Sequence, residues 1–93
     1  MVVKLLTIDL LIPACSSLKE KRYVLSSLKT RLRKRFNISV AEVDYHDKWQ
    51  RSVLAVSLVA VDRRTADGSC DAVIRFVENE HRIEITEIQQ EVC

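Results

Sequence analysis

The chain has 93 residues, of which 47% are hydrophobic and 30% are charged, and its formal net charge is +2. These values are typical of one globular domain with one core, so they exclude an intrinsically disordered chain and a protein of two domains. No segment approaches the roughly 20 consecutive apolar residues of a membrane span, and we expect one domain over residues 1–93 with no membrane partner.

The first half of the chain predicts a strand, a helix and a second strand. Residues 2–12 are largely apolar on both faces of a strand, which predicts a central strand. Ser17 and Glu20 have the spacing of a capping box and predict the start of a helix. Its buried stripe consists of apolar residues at helical spacing: Leu18, Leu25, Leu28, Leu32 and Phe36. Lys21 also falls on this stripe, and we expect its stem to lie on the core with its ammonium in solvent.

The second half of the chain predicts two strands, a helix and a last strand. Residues 38–45 and 51–61 are strands joined by a polar connection, and the second is apolar on both faces. A helix then extends to about Asn79 and is followed by a strand at residues 82–90. The alternation of this last strand slips between Ile85 and Ile88, which predicts a bulge or an early end.

This order of elements predicts an α+β fold, the ferredoxin-like βαββαβ two-layer sandwich. Right-handed crossovers give an antiparallel four-stranded sheet of order 4-1-3-2 with both helices on one face. The other face stays uncovered, although the first and third strands are apolar on both sides. An exposed apolar sheet face is typical of an interaction surface, so we expect a homodimer or another protein there.

The charges are distributed unevenly along the chain. Residues 17–36 contain eight Lys or Arg and one Glu, whereas residues 37–93 contain six Lys or Arg and eleven Asp or Glu. In one interpretation the two parts neutralise each other and the helix surface is solvated. In the other, the basic helix binds an anionic partner such as RNA or DNA.

The predicted topology brings two groups of residues together at opposite ends of the sheet. At one end we predict a nucleic-acid-binding set of cations: Arg31, Arg33, Lys34, Arg35, Arg63 and Arg64. At the other end we predict a second contact patch: Lys19, Lys21, Arg22, Trp49 and Gln50. Trp49 has two interpretations, because its ring either covers the core or anchors a partner.

No motif for catalysis, phosphate binding or metal binding is present in the sequence. We therefore expect a non-catalytic protein without cofactor or metal, rather than an enzyme. The three cysteines have no metal-ligand spacing, and we expect reduced thiols in a cytoplasmic protein: Cys15, Cys70 and Cys93. A dimeric protein-interaction or small-ligand regulatory domain that uses the open sheet face is the alternative to RNA binding.

Three segments resemble the signature of the YlxP-like family, a bacterial domain of unknown function. They are residues 17–22 (SLKEKR), residues 36–42 (FNISVAE) and Asp47 with Trp49 and Gln50. The resemblance implies a small cytoplasmic α+β protein of ferredoxin-like topology. Genes of this family often neighbour those of translation and transcription factors and of a ribosome-binding factor, which implies an RNA- or ribosome-linked role. It supplies no catalytic residues.

Overall fold

The computed structural model describes all 93 residues and contains four strands and two helices. The elements in chain order are β1 (Val2–Leu11), α1 (Leu18–Arg35), β2 (Ser39–Asp44), β3 (Arg51–Ala60), α2 (Arg63–Glu78) and β4 (Glu84–Val92). The strands form one antiparallel sheet in the order β2-β3-β1-β4. The predicted α+β ferredoxin-like fold and its strand order are therefore confirmed.

Both helices begin at a side chain that accepts a backbone hydrogen bond. The Ser17 hydroxyl accepts the Glu20 N–H at 3.1 Å, as predicted, but the Glu20 carboxylate accepts the Ser16 N–H at 3.2 Å instead of that of Ser17. Asp62 caps α2 by accepting the Thr65 N–H at 2.8 Å, and this bond lowers the pKa of the Asp62 carboxyl. The side chains thus satisfy backbone donors that helices leave unpaired.

The core lies between one face of the sheet and both helices. On β1 every second side chain is buried from Lys4 to Leu10, whereas the side chains between them are half-buried. The buried apolar residues of β1 share one cluster with residues of β3, α1 and α2: Leu6, Ile8, Leu10, Leu54, Val56, Leu25, Leu28, Leu32, Val73 and Val77. Both helices therefore cover the same face, and the opposite face is open.

The slip in the last strand is a β-bulge. Asp9 pairs with Glu87 and Leu10 pairs with Ile85, so Thr86 has no partner residue on β1. The Thr86 hydroxyl donates to the Asp9 carbonyl at 3.2 Å. Because of the extra residue, Ile85 and Ile88 both face the helices, which a regular strand would not allow at this spacing. No helix of the structure has the length and apolar character needed to cross a membrane.

Candidate functional site at the hairpin end and the basic helix

Lys21 is buried in the first half of α1, with 1% of its surface exposed. Its ammonium donates to the Tyr45 carbonyl at 2.5 Å and lies 2.9 Å from a carboxylate oxygen of Glu42. The expectation that this ammonium reaches solvent is therefore wrong. The reason is the position of β2 and the hairpin after it, which place two acceptors directly over the apolar stripe.

Glu42 completes a small polar cluster at this point. The Ser52 hydroxyl donates to Glu42 Oε2 at 2.7 Å, the same oxygen that faces the Lys21 ammonium. Burial alone would raise the pKa of the Glu42 carboxyl, but the hydrogen bond from Ser52 and the charge and hydrogen bond of Lys21 outweigh it and lower that pKa. The Glu42 carboxyl is therefore ionised in the fold, and its bonds with Lys21 and Ser52 join α1 to β2 and β3.

The β2–β3 hairpin is fixed to the rest of the domain at its base. The Gln50 side-chain amide donates to the carbonyls of Pro13 and Cys15 at 3.3 and 3.1 Å, and the Gln50 carbonyl accepts the Ile12 N–H at 2.9 Å. Lys21 and Gln50, two members of the predicted second contact patch, therefore bind the protein itself. The hairpin thus lies against the turn before α1.

The tip of the hairpin is a shallow cleft of about 500 Å³. Its walls are the six hairpin residues Tyr45, Asp47, Lys48, Trp49, Gln50 and Arg51. Trp49 is 52% exposed, so the interpretation in which its ring covers the core is wrong. The core is already filled by the aliphatic residues of α1 and the sheet, which leaves the indole at the surface.

The predicted set of six cations is divided between two places. The guanidinium carbons of Arg31 and Arg35 each lie 5.9 Å from the Phe76 ring centroid, whereas Arg63 contacts Asp67 in the first half of α2. The helical rise of ~1.5 Å per residue places Arg63 about 20 Å along α2 from Phe76. The expectation that all six lie together is therefore wrong, because α1 ends beside the second half of α2.

The other three members of the set lie at the surface. The Arg33 guanidinium donates to the Val40 carbonyl at 2.9 Å, on the open edge of β2. His46 lies 3.2 Å from the Glu42 carbonyl on the same strand. These side chains occupy backbone acceptors of an edge strand and protect it from pairing with other strands. Lys34 and Arg64 are exposed and make no ion pair.

Six of the eight cations within residues 17–36 have no carboxylate partner. Lys21 pairs with Glu42, and Arg31 pairs with Glu80 at 2.5 Å. The unpaired cations of this stretch are Lys19, Arg22, Lys29, Arg33, Lys34 and Arg35. We name these six the α1 cation surface. The acidic part of the chain does not neutralise it in the fold, because its carboxylates pair elsewhere or face solvent.

Two further buried charges were missed in the sequence. Lys4 is 5% exposed, and its ammonium donates to Asp67 and to Gln90, both at 2.7 Å. Glu80 is also 5% exposed, and Arg82 and Arg31 donate to its carboxylate. The hydrogen bonds from Arg82, together with that from Arg31, lower the pKa of Glu80 to about 2. The position of Lys4, a charged residue on the apolar face of a strand, already indicates a buried ion pair.

Comparison with known proteins places the chain in a family. Residues 3–90 match the family described as "Protein of unknown function (DUF503)". The chain belongs to this family. It is 37% identical over 70 residues to the "Uncharacterized protein YlxP" of Bacillus subtilis (strain 168), a match that covers 75% of this chain and 76% of that protein. The resemblance to the YlxP-like family is therefore confirmed.

A solved structure supports the fold alone. The "De novo designed protein Foldit4" superposes with a TM-score of 0.57 at 10% identity and covers 98% of this chain and 97% of its own. In this chain, residues from all three signature segments lie at the hairpin end. Lys21 of the first segment pairs with Glu42 of the second, and Gln50 of the third binds the turn before α1. Part of the signature is therefore structural.

Proposed function

We propose that this protein is a non-catalytic binding protein that contacts RNA backbone, on the ribosome or on ribosomal RNA, through the α1 cation surface. The observation that carries the proposal is the absence of carboxylate partners for six cations on one helix. Unpaired Lys and Arg side chains bind the phosphates of a nucleic acid and release the counterions condensed on it. This release gives affinity without sequence selectivity. The gene neighbourhood implied by the family resemblance agrees with an RNA-linked role.

The arrangement of this surface suits an extended backbone. Arg22, Lys29 and Arg33 follow one flank of α1, and Arg33 reaches the β2 edge. The axial distance from Arg22 to Arg33 is about 16 Å, from the rise of ~1.5 Å per residue. An RNA strand along this flank would meet cations in succession. Arg63 and Arg64 lie outside the flank, so we propose no role for them in the same contact.

Neutralising three of these cations tests the proposal. We expect the triple variant Arg22→Gln, Lys29→Gln and Lys34→Gln to bind a labelled 12-nucleotide RNA more weakly. The slope of log affinity against log salt should fall in magnitude by about 2, because each phosphate contact on a single strand contributes ~0.7. None of the three side chains makes a hydrogen bond or ion pair with another side chain of the fold, so the variant should fold normally.

The control is the double variant Arg64→Gln and Arg75→Gln on α2, whose guanidinium groups also lack a carboxylate partner. Fluorescence anisotropy at several salt concentrations and sedimentation with purified ribosomal subunits give the two measurements. Equal salt slopes for the wild type and the α1 variant would refute the proposal. An equal fall in the salt slope per neutralised charge in the α2 variant would show general charge attraction rather than an α1 contact.

A second candidate is a homodimer through the open sheet face. Val59, which is 62% exposed, pairs with the half-buried Val3 on this face, and Leu5 lies on the next row. We propose a second copy of the chain as the occupant.

The oligomeric state tests this candidate. Light scattering at tens of micromolar should give twice the chain mass of 10.7 kDa, and Val59→Lys should return the protein to the monomer. Ser26→Lys, on the outer surface of α1, is the control, and a monomeric wild type rules the candidate out.

A further inference from the structure

Trp49 is a large aromatic side chain held at the surface without a partner. Its exposed fraction is 52%, and no ring or cation of the protein stacks on it. Tyr45, at the other side of the tip, is covered by the Arg51 guanidinium at 4.2 Å from its ring centroid. Tryptophan side chains are enriched at surfaces that another molecule covers.

The backbone of the hairpin tip is bonded to the rest of the domain on both sides. Tyr45 has a φ of 59°, the one non-glycine residue with positive φ in the chain, and this conformation costs free energy for a residue with a bulky side chain. Its carbonyl accepts both the Lys21 ammonium and the Lys48 N–H, the latter at 3.0 Å. The Gln50 bonds to the preceding turn anchor the other side. A rigid tip loses little entropy when it binds a ligand.

The chemistry of the cleft distinguishes between ligands. Trp49 supplies a flat apolar surface, and Lys48 supplies a cation that makes no ion pair within the fold. Asp47 also lines the cleft, and its carboxylate accepts hydrogen bonds but would repel a phosphate at close range. A nucleobase that carries an exocyclic amino group satisfies all three, because it stacks, donates to a carboxylate and brings its phosphate to the cation.

We propose that the hairpin tip binds one unpaired nucleobase of RNA by stacking it on Trp49. The base is one with an exocyclic amino group, which Asp47 accepts, and Lys48 faces its phosphate. This site rests on the proposed function, since the same strand would continue along the α1 cation surface. Arg22 follows Lys21 in α1, and the Lys21 ammonium contacts the Tyr45 carbonyl, so the two surfaces adjoin at the base of the hairpin.

The test uses the indole as its own reporter, because Trp49 is the single tryptophan of the chain. The probes are 12-nucleotide oligocytidylate, oligouridylate and an abasic oligonucleotide with the same number of phosphates. Oligocytidylate should quench the tryptophan fluorescence and bind more tightly than oligouridylate, which has a carbonyl where cytosine has its amino group. The abasic strand should leave the fluorescence unchanged.

Variants of Trp49 give the second measurement. Trp49→Leu should weaken binding of oligocytidylate about tenfold, measured by anisotropy, and Trp49→Phe should recover part of the loss.

Each outcome separates this site from the proposed function. If oligocytidylate binds through α1 but Trp49→Leu changes neither its affinity nor the preference over oligouridylate, the stacking site is wrong and the proposed function stands. If quenching persists after neutralisation of Arg22, Lys29 and Lys34 with an unchanged salt slope, the stacking site stands and the α1 contact is wrong. Absence of quenching and of binding refutes both.

Discussion

Replacement of Lys21 by Met is expected to lower the free energy of unfolding by about 3 kcal/mol, a size typical of breaking a buried ion pair from one side. The variant removes the charge that faces Glu42 and one donor to the Tyr45 carbonyl. Methionine fills nearly the same volume, so the loss comes from the unpaired carboxylate rather than from a cavity. Urea denaturation of both proteins measures the difference.

A double-mutant cycle identifies the cause of this loss. Glu42→Leu combined with Lys21→Met should cost less than the sum of the two single changes, because the double variant leaves no uncompensated charge. Lys29→Met is the control, since Lys29 lies on the same helix without an ion-pair partner, and it should change stability by no more than ~0.5 kcal/mol. Additive effects of Lys21→Met and Glu42→Leu would contradict the assignment of the pair.

Replacement of Glu80 by Gln is expected to cost about 3 kcal/mol at pH 7, through loss of a carboxylate that two arginines hold ionised. Its pKa is about 2 in the fold against 4.5 for the free side chain, chiefly because of the hydrogen bonds from Arg82 and despite the opposing effect of burial. A carboxyl whose pKa is lowered by folding stabilises the folded state above its unfolded pKa. That contribution is lost as the pH falls through the folded value.

The measurement is therefore the difference in stability between wild type and Glu80→Gln across pH. The difference in the free energy of unfolding should reach its maximum above about pH 5 and should decrease between pH 4.5 and about 2. Other carboxyls with a lowered pKa, among them Glu42 and Asp62, contribute equally to the stability of both proteins, so their contributions cancel in this difference. Glu78→Gln, at an exposed site on α2, should show no such change. A difference that stays constant from pH 7 to pH 2 would mean that Glu80 acts only through packing.

The Lys21–Glu42 pair also has a consequence for the hairpin cleft. Lys21 holds the Tyr45 carbonyl, so Lys21→Met should loosen the tip as well as the core. We therefore expect weaker quenching of Trp49 by oligocytidylate in this variant even where it is fully folded. The control variant Lys29→Met keeps the tip intact, although it removes one cation from the α1 surface. Comparing the two separates the geometry of the tip from the charge of the helix.

Local patterns in the sequence were sufficient for the elements and their order. The cap at Ser17 and the bulge at Thr86 follow from residue spacing within a few positions. The sheet order follows from general rules of chain crossover. The position of α1 relative to α2 does not follow from such rules, because it depends on how far each helix extends over the sheet. That distance separates Arg31 and Arg35 from Arg63.

By itself the sequence determined the fold, its family and the excess of positive charge on one helix. Periodicity, capping and turn chemistry act over short distances, so they can be read along the chain. Only the tertiary structure decided which charges are available to a ligand. Lys21 lies 21 positions before Glu42, and Arg31 lies 49 before Glu80. Such pairs form where strand register and helix placement bring side chains together, and the cations left without one remain at the surface.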